Sequence, residues 1–416
     1  MKVLGFDAWT KGAIHYQRLV APLKARGVDL TLLHLGSWGD EPGRAPSEFI
    51  DDLPVRDISY YAGLSLPQIL DREHPSAVVF TSTESFACRA FNRYCRQRNI
   101  PTVHVFHGLQ RVLVLDGSAP FDSRLHTRLW LMRRMIVKGM LHFWPAYTRA
   151  LWQTGAGADE WRRFYYDLTN RVRGTRPSKA ASDSRADRAC VFNDAEIGYV
   201  ADAFGYRPEH VVSVGNPDLV LFGLSTENAG LLLRPDVARG THVMYVDASL
   251  LNYGGVYGSE AEFVGHITRT RDELARQGKQ LVFKPHPSQI GSRVLSALAA
   301  VGIEICERDR FVPTLERCCA TITEPSSAAM LPALMGMPLL LARYGNLAGQ
   351  VFGEFFTSYP RSRYLTDINH FSETLVAEAD GLDRAATMQW IRRNTGPLPA
   401  EDMPARVADV LVSLIR

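Results

Sequence analysis

Two short motifs carry side chains that can hold an anion. Lys284-Pro285-His286-Pro287 follows the apolar run Gln280-Leu281-Val282-Phe283, and Glu324-Pro325-Ser326-Ser327 follows Cys319-Ala320-Thr321-Ile322-Thr323. Each run reads as a strand, so each motif falls where a strand ends. Proline fixes the backbone and removes a ladder donor, which keeps His286 at the strand's end. Ser326 and Ser327 are expected to open a helix through Ala328-Ala329-Met330-Leu331, whose unpaired N–H groups and positive dipole end attract anions. On consecutive strand–helix units, imidazole, ammonium and helix N-terminus suit a phosphate held between two loop tips. Singly, each motif has a plainer explanation: Ser-Ser before an apolar helix is most often an N-cap, and a lone histidine is often a satisfied structural residue. The pair, in this order, favours function.

Chemistry at a carbon centre also needs a carboxylate, as nucleophile or as base for an attacking hydroxyl. Asp247 is the first choice. It ends the run His242-Val243-Met244-Tyr245-Val246 and precedes Asn252-Tyr253-Gly254-Gly255. Glu196 and Asp194, after Cys190-Val191-Phe192-Asn193, are acid/base candidates, and Glu84 is a third. The bland alternative for each is a helix N-cap or a surface carboxylate. No Asp-x-Asp lies at a strand end, and Asp51-Asp52 and Asp183-x-x-x-Asp187 fall in loops, so no metal is expected.

The elements that position these groups alternate. Lys2 to Phe6, Leu30 to Leu35, Ala77 to Phe80 and Pro101 to Phe106 read as strands. His15 to Arg26, Ser65 to Glu73 and Ser85 to Gln97 read as helices. This α/β alternation predicts parallel sheets covered by helices, with ligands at the carboxyl ends of the strands. Asp7, Thr81 to Glu84 and His107-Gly108 then share one rim. Gly215-Asn216-Pro217-Asp218 is read as the crossing between domains. The expected division is an N-terminal domain over 1–210, a C-terminal domain over 211–395 and a final stretch over 396–416. That last stretch carries an amphipathic helix from Ala405, packing back on the N-terminal domain.

Residues 124–180 mix Trp130, Met132, Met135, Ile136, Met140, Phe143 and Trp144 with Arg124, Arg128, Arg133, Arg134 and Lys138. They read as one or two amphipathic helices with solvated basic faces. The sharper reading is a surface that meets anionic head groups or a lipid-linked acceptor. Arg173 to Arg188 reads as a polar loop.

The 416 residues carry a formal net charge of only +3, which excludes a global polyanion-binding field and suits two α/β domains. The six cysteines lack metal-ligand spacing and read as reduced packing residues. Lys2 starts directly into a strand with no leader pattern, and no apolar run is long enough to span a bilayer. The expected location is cytoplasmic, peripheral at the inner face of the membrane if the acceptor is lipid-linked. No nucleic-acid partner is expected.

His286-Pro287 and Ser326-Ser327, with His107-Gly108 and Gly215-Asn216-Pro217, resemble motifs of GT-B glycosyltransferases that use CMP-activated acidic sugars. The pattern is most similar to retaining β-Kdo transferases of O-antigen, lipopolysaccharide and capsule assembly. Bacterial sialyltransferases, polysialyltransferases and CDP-glycerol glycerophosphotransferases are related. The likeness is dense from Cys190 to Leu341. It implies two facing Rossmann-like domains with a cleft between them, and transfer of Kdo from CMP-Kdo to a bacterial surface glycan without a metal. By the same resemblance, His286 and Lys284 contact the CMP phosphate and Ser326 and Ser327 bind it through hydroxyls and backbone N–H. Glu324 accepts from ribose hydroxyls, and the loop after Cys306 lines the cytosine. Asn216, His107 and Gly108 join the substrate-binding set, and Asp247 forms a covalent sugar adduct. The alternatives are a sialyltransferase, a CDP-glycerol glycerophosphotransferase, a non-catalytic nucleotide-binding GT-B module, or a piece of a larger synthase.

Overall fold

The computed structural model describes residues 1–8, 12–38, 45–112, 135–173, 180–224, 229–233, 240–253 and 256–415. The chain divides into two compact units. The first comprises Met1–Gly108, Leu115–Gly215 and Glu401–Arg416, and the second Leu109–Val114 and Asn216–Ala400.

The first unit is built on eight strands: β1 (Lys2–Asp7), β2 (Asp29–His34), β3 (Ser47–Ile50), β4 (Leu53–Asp57), β5 (Ala77–Phe80), β6 (Thr102–Val105), β7 (Arg188–Val191) and β8 (Val211–Ser213). Their order in the sheet is β3-β4-β2-β1-β5-β6-β7-β8. All neighbours run parallel except β3, which pairs antiparallel with β4 as an edge hairpin. Sequence alternation did not reveal this hairpin, because β3 is half exposed and β4 carries Pro54. The four residues of β5 are buried throughout, as expected of a parallel strand covered on both faces.

Helices Ala13–Lys24, Leu66–Glu73 and Phe86–Gln97 fall where the sequence placed them, within two residues. Ser65 and Gln68 form a capping box, and Pro67 sits in the first turn where its missing N–H is harmless. The final helix, Met403–Ile415, starts two residues earlier than expected because Pro404 is likewise tolerated in a first turn. It buries Met403, Val407, Ala408, Leu411 and Val412, and it reaches the rest of its unit through Arg26–Asp409 at 2.8 Å and Arg406 to the Val214 carbonyl at 3.0 Å.

The basic, aromatic stretch is described from Met135 onward. It forms helix over Met135–Phe143, Trp144–Gln153 and Ala158–Arg173; residues 124–134 and 174–179 of that expectation lie outside the described residues. The polar stretch read as a loop holds a buried anchor. Arg89 donates to Asp183 and Asp167 at 2.7 Å each and to the Tyr147 hydroxyl at 2.5 Å, all buried.

The second unit carries six strands: β9 (His242–Val246), β10 (Gln280–Lys284), β11 (Glu304–Ile305), β12 (Cys318–Thr323), β13 (Leu339–Ala342) and β14 (Ser362–Leu365). The order is β11-β10-β9-β12-β13-β14, all parallel. This is the 3-2-1-4-5-6 order of a Rossmann sheet. Its core gathers Tyr245, Phe263, Phe283, Ile322, Leu340 and Phe371. All six cysteines are buried as free thiols.

Arg361, fully buried before β14, is held by Glu378 through two hydrogen bonds of 2.6 and 2.8 Å and donates to the Gly336 carbonyl at 2.6 Å. Removing one partner of a buried pair strands the other charge, so Glu378→Ala is expected to destabilise the second unit by about 3–5 kcal/mol. Urea unfolding followed by circular dichroism measures this.

Candidate functional site

In the second sheet the chain starts at β9, builds outward to β11, then returns to the other side of β9 with β12. Between β9 and β12 the loops leave in opposite directions, which opens a crevice at the carboxyl ends. Asp247 directly follows β9 and Glu324 directly follows β12. Tyr245 lies opposite Ile322 in the register, and strand side chains alternate, so Tyr245 and Glu324 share a face. The Tyr245 hydroxyl donates to Glu324 Oε1 at 2.8 Å, the Tyr257 hydroxyl approaches the same oxygen at 3.5 Å, and the Ala248 N–H donates to Oε2 at 2.8 Å.

Asp247 accepts from the His286 N–H at 3.0 Å on Oδ2 and from the Ser249 N–H at 2.8 Å on Oδ1. The Asp247 N–H donates to the Lys284 carbonyl at 3.1 Å. The Lys-Pro-His-Pro motif and Asp247 are thus tied through backbone. Asp247 is 1% and Glu324 0% exposed. Burial raises the Asp247 pKa, opposed by the His286 and Ser249 N–H groups. Burial, then the charge of Asp247, push Glu324 up to about 8.

His286 is half-buried. Its Nδ1 accepts from the Ser288 N–H at 3.2 Å and lies 2.8 Å from Ser288 Oγ. An accepting Nδ1 puts the proton of the neutral ring on Nε2. Burial lowers the His286 pKa, against the pull of Asp247. Ser288 Oγ is 2.8 Å from Ser249 Oγ, and Ser249 has φ +61°, a left-handed backbone that a serine holds only under constraint. Lys284 is buried. Its Nζ donates to the Pro285 carbonyl at 3.2 Å and stands 5.3 Å over the Phe311 ring, and burial lowers its pKa.

The helix expected after Ser326-Ser327 is present but opens as a tighter turn. Ser327–Ala329 is a 3₁₀ turn leading into Met330–Leu334. The stretch ends at Leu334, two residues before Gly336 at φ +82°. Ser326 is buried and accepts the Ala328 N–H at a long 3.4 Å, and Ser327 is exposed. Asn216 is buried. Its Oδ1 accepts the Asp218 N–H at 2.9 Å and its Nδ2 lies 3.0 Å from Met330 Sδ, which fastens the Gly-Asn-Pro turn to this short helix. Gly254 and Gly255 lie outside the described residues.

The second unit therefore assembles Asp247, Lys284, His286 and Glu324, with Ser326 and Ser327 following Glu324. Tyr245, Tyr257, Ser249 and Ser288 complete the cluster and were missed in the sequence. Tyr245 had a signal: a polar tip inside an apolar run, two residues before Asp247 and so on its face of the strand.

The other candidates belong to the first unit, whose sheet also reverses, between β1 and β5. There Asp7 accepts from Thr81 Oγ1 at 2.6 Å, and Tyr16 Oη donates to the Phe6 carbonyl at 3.0 Å and accepts from the Thr81 N–H at 3.1 Å. His107 Nδ1 donates to the Thr81 carbonyl at 2.8 Å, and the His15 ring lies 5.3 Å from the His107 ring. His15 was not foreseen. Gly108 follows His107 directly. Glu196 is buried and accepts from the Phe192 N–H at 3.2 Å, whereas Asp194 and Glu84 are exposed.

The sequence profile of Glycosyltransferase Family 4 matches residues 12–217. No curated protein matches the chain. Among solved structures, the kitacinnamycin glycosyltransferase is similar at 15% identity and TM-score 0.46 over 100% of this chain and 99% of that one. The calicheamicin glycosyltransferase CalG4 is similar at 14% and 0.46 over 100% and 98%, and the wall teichoic acid polymerase TagF at 11% and 0.49 over 100% and 89%. The profile match covers just under half of the chain, and the two Rossmann-like units are those from which the GT-B fold is built.

Burial, then His107 and Arg18, lower the His15 pKa to about 4. His15 is therefore expected to stay neutral from pH 8 down to about pH 5, and His107→Ala to move its titration upward. Imidazole resonances followed by NMR across that range check both.

Proposed function

We propose that the chain transfers a CMP-activated acidic sugar, Kdo in the reading the sequence favours, to a surface glycan with retention of configuration. The observation that carries this is Asp247, a carboxylate at the switch point of the second sheet, bound to the backbone of His286. In the proposed reaction an Asp247 oxygen attacks the anomeric carbon, the bond from that carbon to the CMP phosphate oxygen breaks, and its electron pair leaves with CMP. His286 Nε2–H, Lys284 and the Ser326-Ser327 N–H groups would stabilise the departing charge. The acceptor hydroxyl then attacks the same carbon, freeing Asp247. Its proton passes to a base, for which Glu196, Asp194 and Glu84 are the candidates. Two inversions retain configuration.

One observation favours a different role for Asp247. Each of its oxygens already holds a backbone N–H, and the residue is 1% exposed. This suits a clamp that sets the His286 loop, as an inverting transferase or a CDP-glycerol glycerophosphotransferase would use.

Among the described residues no helix is long and apolar enough to cross a membrane. Exposed Leu141, Trp152 and Tyr165 on the helices after Met135 fit peripheral contact with a lipid-linked acceptor.

Calorimetry with CMP, CDP, UMP and UDP is expected to rank CMP first, with His286→Ala weakening it by about 1–3 kcal/mol. Intact mass after incubation with CMP-Kdo is expected to show a Kdo-sized gain that Asp247→Asn abolishes. CMP binding with no adduct would favour the clamp; preference for UDP would overturn the donor assignment.

A further inference from the structure

We infer that the first unit carries a lipid site apart from its switch point: a groove on the helical layer that takes one acyl chain of an anionic bilayer lipid, with the lipid phosphate on Arg149. The groove begins as a cavity of 350 Å³ beyond the carboxyl ends of β2 and β4. It continues between helix Leu66–Glu73 and helices Phe86–Gln97 and Trp144–Gln153 as a more open recess. None of Asp7, Thr81 or His107 lines it.

The two halves differ in chemistry. Ile58, Leu64, Leu66, Leu141 and Ala146 make the cavity largely aliphatic. The polar groups of its loops are already engaged. Asp57 accepts the Ser37 N–H at 3.0 Å and the Ser59 N–H at 2.9 Å. Gln68 Oε1 accepts the Ser65 N–H at 2.9 Å and the Ser65 hydroxyl at 2.7 Å. The Trp38 ring is stacked on His142 with centroids 5.1 Å apart. Apolar area with its polar groups spoken for suits an alkyl chain better than a sugar.

The recess is polar, and most of its groups are paired. Asp71 clamps Arg98 at 2.6 and 3.0 Å, and the Tyr94 hydroxyl donates to Gln153 at 2.7 Å. Arg149 lines both halves, is exposed, and has no hydrogen bond or ion pair among the described residues. An uncommitted guanidinium where an apolar cavity meets a polar recess is complementary to a phosphate that carries a chain. Leu141 is 65% and its neighbour Met140 51% exposed, so the apolar lining runs out to the surface, and Trp152 on the next helix is exposed as well. A chain can therefore enter from a bilayer lying against these helices. This deepens, and rests on, the peripheral contact proposed above; it does not depend on the donor.

Decyl phosphate, titrated into the full chain below its micelle concentration, is expected to bind at one site by calorimetry. Inorganic phosphate and decyl maltoside each keep half of the ligand and are expected to bind at least about tenfold more weakly. Arg149→Gln is expected to weaken decyl phosphate by about five- to tenfold and to leave decyl maltoside unchanged. Arg162→Gln removes an exposed arginine outside the groove and is expected to change neither. Ala146→Phe fills the cavity and should remove binding of both chains; should it fail to fold, Leu141→Asp at the exposed mouth should weaken decyl phosphate instead. Equal effects of the two arginine variants, or binding that the cavity variants leave intact, would overturn the inference. Flotation with phosphatidylglycerol and phosphatidylcholine vesicles tests the source. Arg149→Gln should lower the fraction bound to phosphatidylglycerol more than Arg162→Gln does; if the two float alike, a bilayer lipid is not the occupant and the inference fails. CMP binding by Arg149→Gln should match the wild type, so failure of the donor assignment and failure of the lipid site are read separately.

Discussion

Two buried carboxyl groups must be satisfied from within the second unit, and much of that unit is arranged around the constraint. Asp247 and Glu324 sit on neighbouring strands where the sheet reverses its order. The loop with His286 hangs from one of them by a backbone N–H, and the loop after β9 is bent until Ser249 takes a left-handed backbone and donates to the same residue. Tyr245 and Tyr257 approach the other from the sheet and from the segment before the next helix. The Lys-Pro-His-Pro motif is thereby positioned by a carboxylate as much as by its own prolines.

The first unit meets a similar burden in another way. Asp167 and Asp183 are also buried, but each faces the Arg89 guanidinium, and Tyr147 shares that cation. An opposite charge neutralises them permanently, which suits a structural anchor. Asp247 and Glu324 are met instead by backbone N–H groups and, at Glu324, a tyrosine hydroxyl. The contrast separates the two clusters by purpose: the arginine network joins helix Phe86–Gln97 to the segment around Asp183, whereas the acid pair lies where an open sheet binds its ligand.

The strands were legible because buried parallel strands are written as short apolar runs, and the motifs at their ends could be read directly. Asp247 and the Lys-Pro-His-Pro tetrad stood out for that reason. The meeting of Glu324 with the loop after β9 could not be read, since Ala248 and its acceptor Glu324 are 76 residues apart and meet only because β12 returns beside β9. The helix after Ser327 could be placed from its apolar run, but its opening 3₁₀ turn left no trace in that run. Asp183 was taken for a loop residue because a buried arginine partner in another helix leaves no local trace. The edge hairpin β3–β4 was missed because half-exposed, proline-containing strands lack the apolar signature.

Helix Met403–Ile415 belongs to the first unit although all of the second unit precedes it in the chain. On the ribosome the first sheet therefore emerges with a bare apolar strip where Val407, Ala408 and Leu411 will lie, and it waits through nearly two hundred residues of synthesis before that strip is covered. The second unit, nearly continuous in sequence, can close as it emerges. The half of the molecule synthesised first is thus the last to be completed.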